Sequence, residues 1–98
     1  MTPGAMESGL LHRDLTIVNK RGLHARAAAR FVQTAERFEA EITVTKDSTT
    51  VGGTSIMGLM MLAAGPGSVI TVSAVGTDAE AALRALGELV EGLFGEEG

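Results

Sequence analysis

The apolar residues of this chain change their spacing several times, and that narrows what it can fold into. "EITVTK", Glu41 to Lys46, alternates cleanly, with Ile42 and Val44 on one face, and "SVITVSAVG", Ser68 to Gly76, is rich in β-branched residues. Strict alternation sends side chains to opposite faces of a strand, and β-branched residues pack well on a pleated surface. Other segments carry helical spacing instead. From Ala25 to Phe38 the apolar positions are Ala28, Phe31, Val32, Ala35 and Phe38. From Thr77 towards Phe94 they are Ala82, Leu83, Leu86, Leu89, Val90 and Leu93. Positions three and four apart fall on one face of a helix.

The remaining elements follow from shorter signals. "RDLTIVN", Arg13 to Asn19, predicts a strand with Leu15 and Ile17 on one face, and Lys20 to Leu23 a turn around Gly22. "KDSTTVGG" reads as a hairpin leading into a short strand near Thr49 to Val51. "SIMGLMMLAAGPG" predicts a short helix with Ser55 as its N-cap and Gly65-Pro66 as its stop. "TDAE", Thr77 to Glu80, is a capping-box pattern opening the last helix. Gly87 and Gly92 weaken that helix by about 1 kcal/mol each relative to alanine. "GEEG" reads as a polar tail, and Glu80 with Arg84 as a solvated pair one turn apart.

The resulting order, β-α-β-β-α-β-α, predicts an α+β fold: one antiparallel or mixed sheet covered by helices on one face. Thr16, Thr43, Thr45 and Thr71 suit the face left open. Ninety-eight residues make one small domain. Residues 1–9, small and polar, are expected to be disordered, with a single domain over 10–98. Met6 could serve as an alternative start.

Composition excludes several classes. There is no cysteine, so neither a disulfide framework nor a thiolate zinc site is available, and the two histidines and scattered carboxylates have no metal-site spacing. A net charge of -4 argues against non-specific binding to nucleic acid. No apolar run approaches the roughly 18 residues that span a bilayer. The N-terminus lacks the basic and apolar regions of a signal peptide, which favours the cytoplasm.

One stretch invites a chemical reading. In "KRGLHARAAARF" a histidine stands between a glycine turn and an alanine-rich helix, with an arginine two residues on. If the helix begins at Ala25, His24 is its N-cap. Histidine is a poor cap, so capping alone does not account for it. The unpaired N–H groups and partial positive charge of a helix start disfavour an imidazolium and leave a neutral, nucleophilic ring. A phosphoryl group placed on that ring would find the same N–H groups and Arg26 ready to bind its oxygens. His12, by contrast, precedes the first strand with nothing to position it. The methionine helix carries six large apolar residues in about two turns, more than one buried face can take. Leu59 and Leu62 fit the core, so some of Ile56, Met57, Met60 and Met61 must be exposed, where methionine suits a surface that meets several partners.

"GLHARAAARFV" resembles the phosphorylation-site segment of the histidine-containing phosphocarrier (HPr) family of the bacterial phosphotransferase system. "TSIMGLMMLAAGPGSVITVSAVGTDAEAAL" resembles the family's second signature, around its regulatory serine. The resemblance runs from about Leu15 to Phe94. It implies an HPr-like two-layer open-faced β-sandwich, a four-stranded antiparallel sheet covered on one face by three helices. It also implies that His24 is phosphorylated on Nδ1 by enzyme I charged from phosphoenolpyruvate, and that the group passes to a histidine of an EIIA-type acceptor. Arg26 matches the arginine that stabilises the phosphate. Ser55 matches the serine modified by HPr kinase/phosphorylase in some relatives. Ile56, Met57, Met60 and Ala29 match the partner-docking patch. Such a protein is a monomeric relay that needs no cofactor or metal, rather than an enzyme with its own turnover.

Two alternatives stand beside this one: a regulatory binding module whose phosphorylation state controls a partner without onward transfer, and a small-molecule domain using the helix start for an anion. Two departures from the family pattern are visible. Ala27 stands where the motif usually has proline, which resembles carriers of the nitrogen-related branch. The first helix has Gln33 and Glu36 where sugar-uptake relatives often carry lysines, so electrostatic steering towards acidic partners is weaker.

Overall fold

Alternation becomes strand wherever one face of the chain can be buried. In the computed structural model, which describes residues 10–96, four strands do this: β1 (Leu11–Thr16), β2 (Glu41–Lys46), β3 (Thr49–Gly52) and β4 (Val69–Val75). They form one antiparallel sheet in the order β1-β4-β2-β3. The register sets Leu15 opposite Ile70, Val44 opposite Val72 and Ile42 opposite Ala74, and all six are buried. Three helices, α1 (Ala25–Ala35), α2 (Ile56–Met61) and α3 (Ala79–Glu91), cover that face, and their buried residues join those of the strands in one core. The fold is therefore the open-faced sheet and three-helix layer anticipated from the sequence. The opposite face carries the threonines, with Thr71 Oγ1 donating to Asp14 Oδ1 at 2.7 Å and the hydroxyls of Thr45 and Thr50 bonded at 2.8 Å.

Several boundaries differ from those predicted. β1 begins at Leu11, so His12 lies within the strand opposite Ser73 rather than ahead of it. α1 ends at Ala35, and residues up to Phe38 form a closing turn with Arg37 N–H bonded to Thr34 O and Phe38 N–H to Ala35 O. α2 ends at Met61, because Ala63 at φ 52° reverses the chain before Gly65-Pro66 is reached. The expected segment 1–9 lies outside the described residues.

The capping box is absent. Asp78 occupies the N-cap of α3 but makes no side-chain bond to that helix. Its Oδ2 instead accepts from the N–H of Glu39 at 2.7 Å, which ties the turn after α1 to the start of α3. The carboxylate satisfies a lone donor across the chain in preference to one of its own helix. Gly87 is buried in α3 beside Arg13: a Cβ there would lie 2.8 Å from Nη1, the movable end of that side chain. Arg13 also reaches Glu91 at 3.7 Å. Beyond α3, Leu93 is only half-buried and Phe94 is fully enclosed in its place. Leu93, Phe94 and Gly95 all have positive φ, at 63°, 55° and 78°, and this single turn folds the chain back over α1.

Candidate functional site

The turn before α1 is built around Gly22. Its φ of 65° lies in the left-handed region, and a Cβ there would sit 2.5 Å from the carbonyl oxygen of Ala64. Both facts call for glycine. The next residue, Leu23, is buried, and its N–H donates to the same Ala64 oxygen at 2.9 Å. The exit from α2 is thereby fixed to the turn that presents His24.

His24 has extended backbone, φ -80° and ψ -178°, and its carbonyl accepts the first helical bond, from Ala28 N–H at 2.8 Å. It is thus the N-cap that the sequence predicted. Its Nδ1 accepts from the N–H of Arg26 at 3.3 Å, a long contact that engages the lone pair only lightly. On the other side of the ring, Nε2 lies 2.5 Å from Oε2 of Glu96. These partners assign the tautomer: an N–H aimed at Nδ1 requires a lone pair there, and a carboxylate at Nε2 requires a proton there. The ring is more covered than a freely exposed histidine, with 17% of its side chain accessible, against 15% for Glu96.

Glu96 is in turn held from behind. Asn19, completely buried, donates Nδ2 to Glu96 Oε1 at 3.1 Å and to the carbonyl of Gly22 at 2.9 Å. Desolvation works to raise the Glu96 carboxyl. The hydrogen bonds from Asn19 and His24 and the nearby Arg21 cation outweigh it and hold the group below the ordinary carboxylate value. Glu96 is therefore part of the site and not the free polar tail expected of "GEEG". Asn19 could have been found: the alternation of Leu15 and Ile17 continues to position 19, which places a polar residue on the inward face. For Glu96 only a polar stretch with two adjacent glutamates was visible, without a signal for the turn that brings it in.

The other expected site residues fall as follows. The side chain of Arg26 is exposed and makes no ion pair among the described residues. Ala29 is half-buried on α1. Ser55 caps α2, with Oγ accepting from Gly58 N–H at 2.9 Å, and remains exposed. Leu59 on α2 and Leu62 at its C-cap are buried, whereas Ile56 and Met60 are each 40% accessible and Met57 70%. Met61, outside the expected patch, is the most exposed of the six at 75%. No group of three metal-ligating side chains occurs among the described residues, and no helix there is long and apolar enough to cross a membrane.

The site is thus an open-faced antiparallel sheet under three helices, with a half-covered histidine capping the first of them. A family model described as the phosphotransferase-system HPr component phosphorylation site matches residues 11–92. The chain belongs to the HPr family, the phosphocarrier proteins of the phosphotransferase system. It is 52% identical to the phosphocarrier protein HPr of Neisseria meningitidis over 87 residues, covering 89% of this chain and 98% of that protein. It is also 45% identical to the phosphocarrier protein NPr of Shewanella violacea, covering 88% of this chain and 94% of that one. Among solved structures, HPr-C-His from Thermoanaerobacter tengcongensis superposes with a TM-score of 0.86 at 49% identity, over 90% of this chain and 99% of that chain.

Proposed function

We propose that this phosphocarrier accepts a phosphoryl group on Nδ1 of His24 from enzyme I charged by phosphoenolpyruvate, and gives it to a histidine of an EIIA-type acceptor. The observation that carries this reading is the position of Nδ1: it faces the N–H of Arg26 at the start of α1 with its lone pair available. After transfer that N–H turns from the nitrogen to a phosphoryl oxygen, and the exposed Arg26 guanidinium supplies a second, charged contact. The apolar surface of Ile56, Met57 and Met60, with Ala29 on α1, serves as the docking face, and a relay that must meet two partners in turn acts as a monomer. A donor charged from phosphoenolpyruvate implies a cytoplasmic setting.

Ser55 has a regulatory role in the same reading. It is exposed, and a phosphate added by a kinase of the HPr kinase/phosphorylase type would bring about two negative charges to the edge of the docking face and repel acidic partners.

The test is intact mass after incubation with phosphoenolpyruvate and enzyme I. The wild type gains one acid-labile phosphoryl group and His24→Ala gains none. Absence of any gain with a cognate enzyme I overturns the reading. Addition of an EIIA-type acceptor then separates a relay, which loses its label, from a regulatory module, which keeps it.

A further inference from the structure

The transfer chemistry so far uses one nitrogen of His24, and the contact at the other nitrogen is unexplained. Oε2 of Glu96 lies 2.5 Å from Nε2, the range of a charge-assisted bond. Its second oxygen is pinned by Asn19, which is buried and anchored in turn on Gly22 O, so the carboxylate cannot swing away from the ring without also breaking the Asn19 bond. A surface carboxylate with no task would not be fixed in this way by a buried amide.

We infer that Glu96 is a positioning residue for phosphoryl exchange: it keeps the proton on Nε2 of His24 before, during and after transfer. The inference rests on phosphorylation of His24 as proposed above. In the first step the Nδ1 lone pair attacks the phosphorus of a phosphohistidine on the donor. The donor's P–N bond breaks and its electron pair stays on the donor ring. The His24 ring then carries phosphoryl on Nδ1 and a proton on Nε2, with a formal positive charge facing the Glu96 carboxylate. In the second step the acceptor's ring nitrogen bonds to phosphorus and the Nδ1–P pair returns to Nδ1. The Nε2 proton does not move, so the ring leaves as neutral imidazole. Without that proton the leaving group would carry negative charge and transfer would be much slower.

The charges around the ring fit this role. Arg26, whose main-chain N–H meets Nδ1, carries its cation at the start of α1, and Arg21 acts on Glu96. Both are cations and would help expel the ring proton. Among the described residues Glu96 is the only anion bonded to the ring, and it opposes them.

The experiment compares wild type with Glu96→Gln and Glu96→Ala. Nitrogen-15 NMR of the unphosphorylated histidine should show Nε2–H in the wild type and a larger Nδ1–H fraction in Glu96→Ala. All three proteins should take label from enzyme I at His24. Transfer to an EIIA-type acceptor, followed against pH, should begin to fail about one pH unit earlier on the alkaline side in both variants, with a rate about tenfold lower there. A merely structural glutamate would lower the rate at every pH and leave the profile unmoved. Superimposable pH profiles, or Nδ1–H in the wild type, overturn the inference. If wild type takes no label at all, the carrier reading fails, and the tautomer measurement still judges the Glu96 contact by itself.

Discussion

The N–H of Leu23 and the carbonyl of Ala64 are joined at 2.9 Å, and Gly22 leaves no room between them for a side chain. This contact couples two segments that the sequence keeps 41 positions apart, 64 − 23, one carrying His24 and the other leaving the methionine helix. Gly22→Ala should therefore harm both. Left-handed backbone and the 2.5 Å approach to Ala64 O together should lower stability by about 2 to 3 kcal/mol. Urea denaturation measures that loss, and phosphorylation by enzyme I should slow in the folded fraction as well.

Met57 is 70% accessible, so Met57→Glu should leave the fold intact, with stability changed by no more than about 0.5 kcal/mol. With Met57 in the docking face proposed above, phosphoryl exchange should nevertheless slow by about tenfold, because a charge takes the place of an apolar anchor. Circular dichroism and exchange rates check the two halves. Unfolding of the variant would make Met57 a core residue.

Ser55 can be dissected by two substitutions. Ser55→Ala removes the acceptor for Gly58 N–H and should cost about 1 kcal/mol in thermal or urea unfolding. Ser55→Asp retains a capping oxygen and should stay near wild-type stability, while placing negative charge beside the docking face. Exchange slowed in Ser55→Asp but not in Ser55→Ala supports regulation through charge. Equal rates in wild type and Ser55→Asp contradict it.

The pH dependence of stability carries the signature of Glu96. Its carboxyl titrates below the ordinary value of 4.5 in the folded protein, so the unfolded chain binds the proton more readily. The stabilisation from this group is fully present above 4.5 and is lost as pH falls from there through the lowered folded value. In Glu96→Gln that part of the acid dependence should disappear. Urea midpoints taken from neutral to acid pH would show the two curves converging in acid.

Much of this was legible in the sequence where local pattern and tertiary need agree. Ile42 and Val44 alternate and are buried. Ser55 looks like a cap and is one. Leu59 and Leu62 were separable from their exposed neighbours by spacing alone. His24 at the helix start was legible because a strand, a glycine turn and a helical period meet there. The failures arise where a residue answers to something distant. Asp78 caps nothing in its own helix because Glu39 N–H, far away in sequence, competes for it. His12 is in a strand because β4 extends far enough to pair with it. Glu96 could not be placed because the reversal at Leu93 and Phe94 uses left-handed backbone in residues that give no warning of it. The substitution at Ala27 pointed towards the nitrogen branch, and relatives named HPr and NPr both match, at 52% and 45% identity.

That reversal gives the molecule two separable scales of cohesion. The sheet and its helices are held by a core of many aliphatic side chains, whereas the segment bearing Glu96 is held by one buried ring, Phe94, a bond from Arg30 to the Phe94 carbonyl, and the contacts of Glu96 with Asn19 and His24. Burial of such a ring contributes about 2 to 3 kcal/mol, which is less than the whole domain must supply to stay folded. The last turn can therefore open by itself, on a faster clock than global unfolding, with the amide of Glu96 exchanging its hydrogen well before those of β4. The setting of the His24 ring then depends on a latch that can open while the sheet and its helices stay folded.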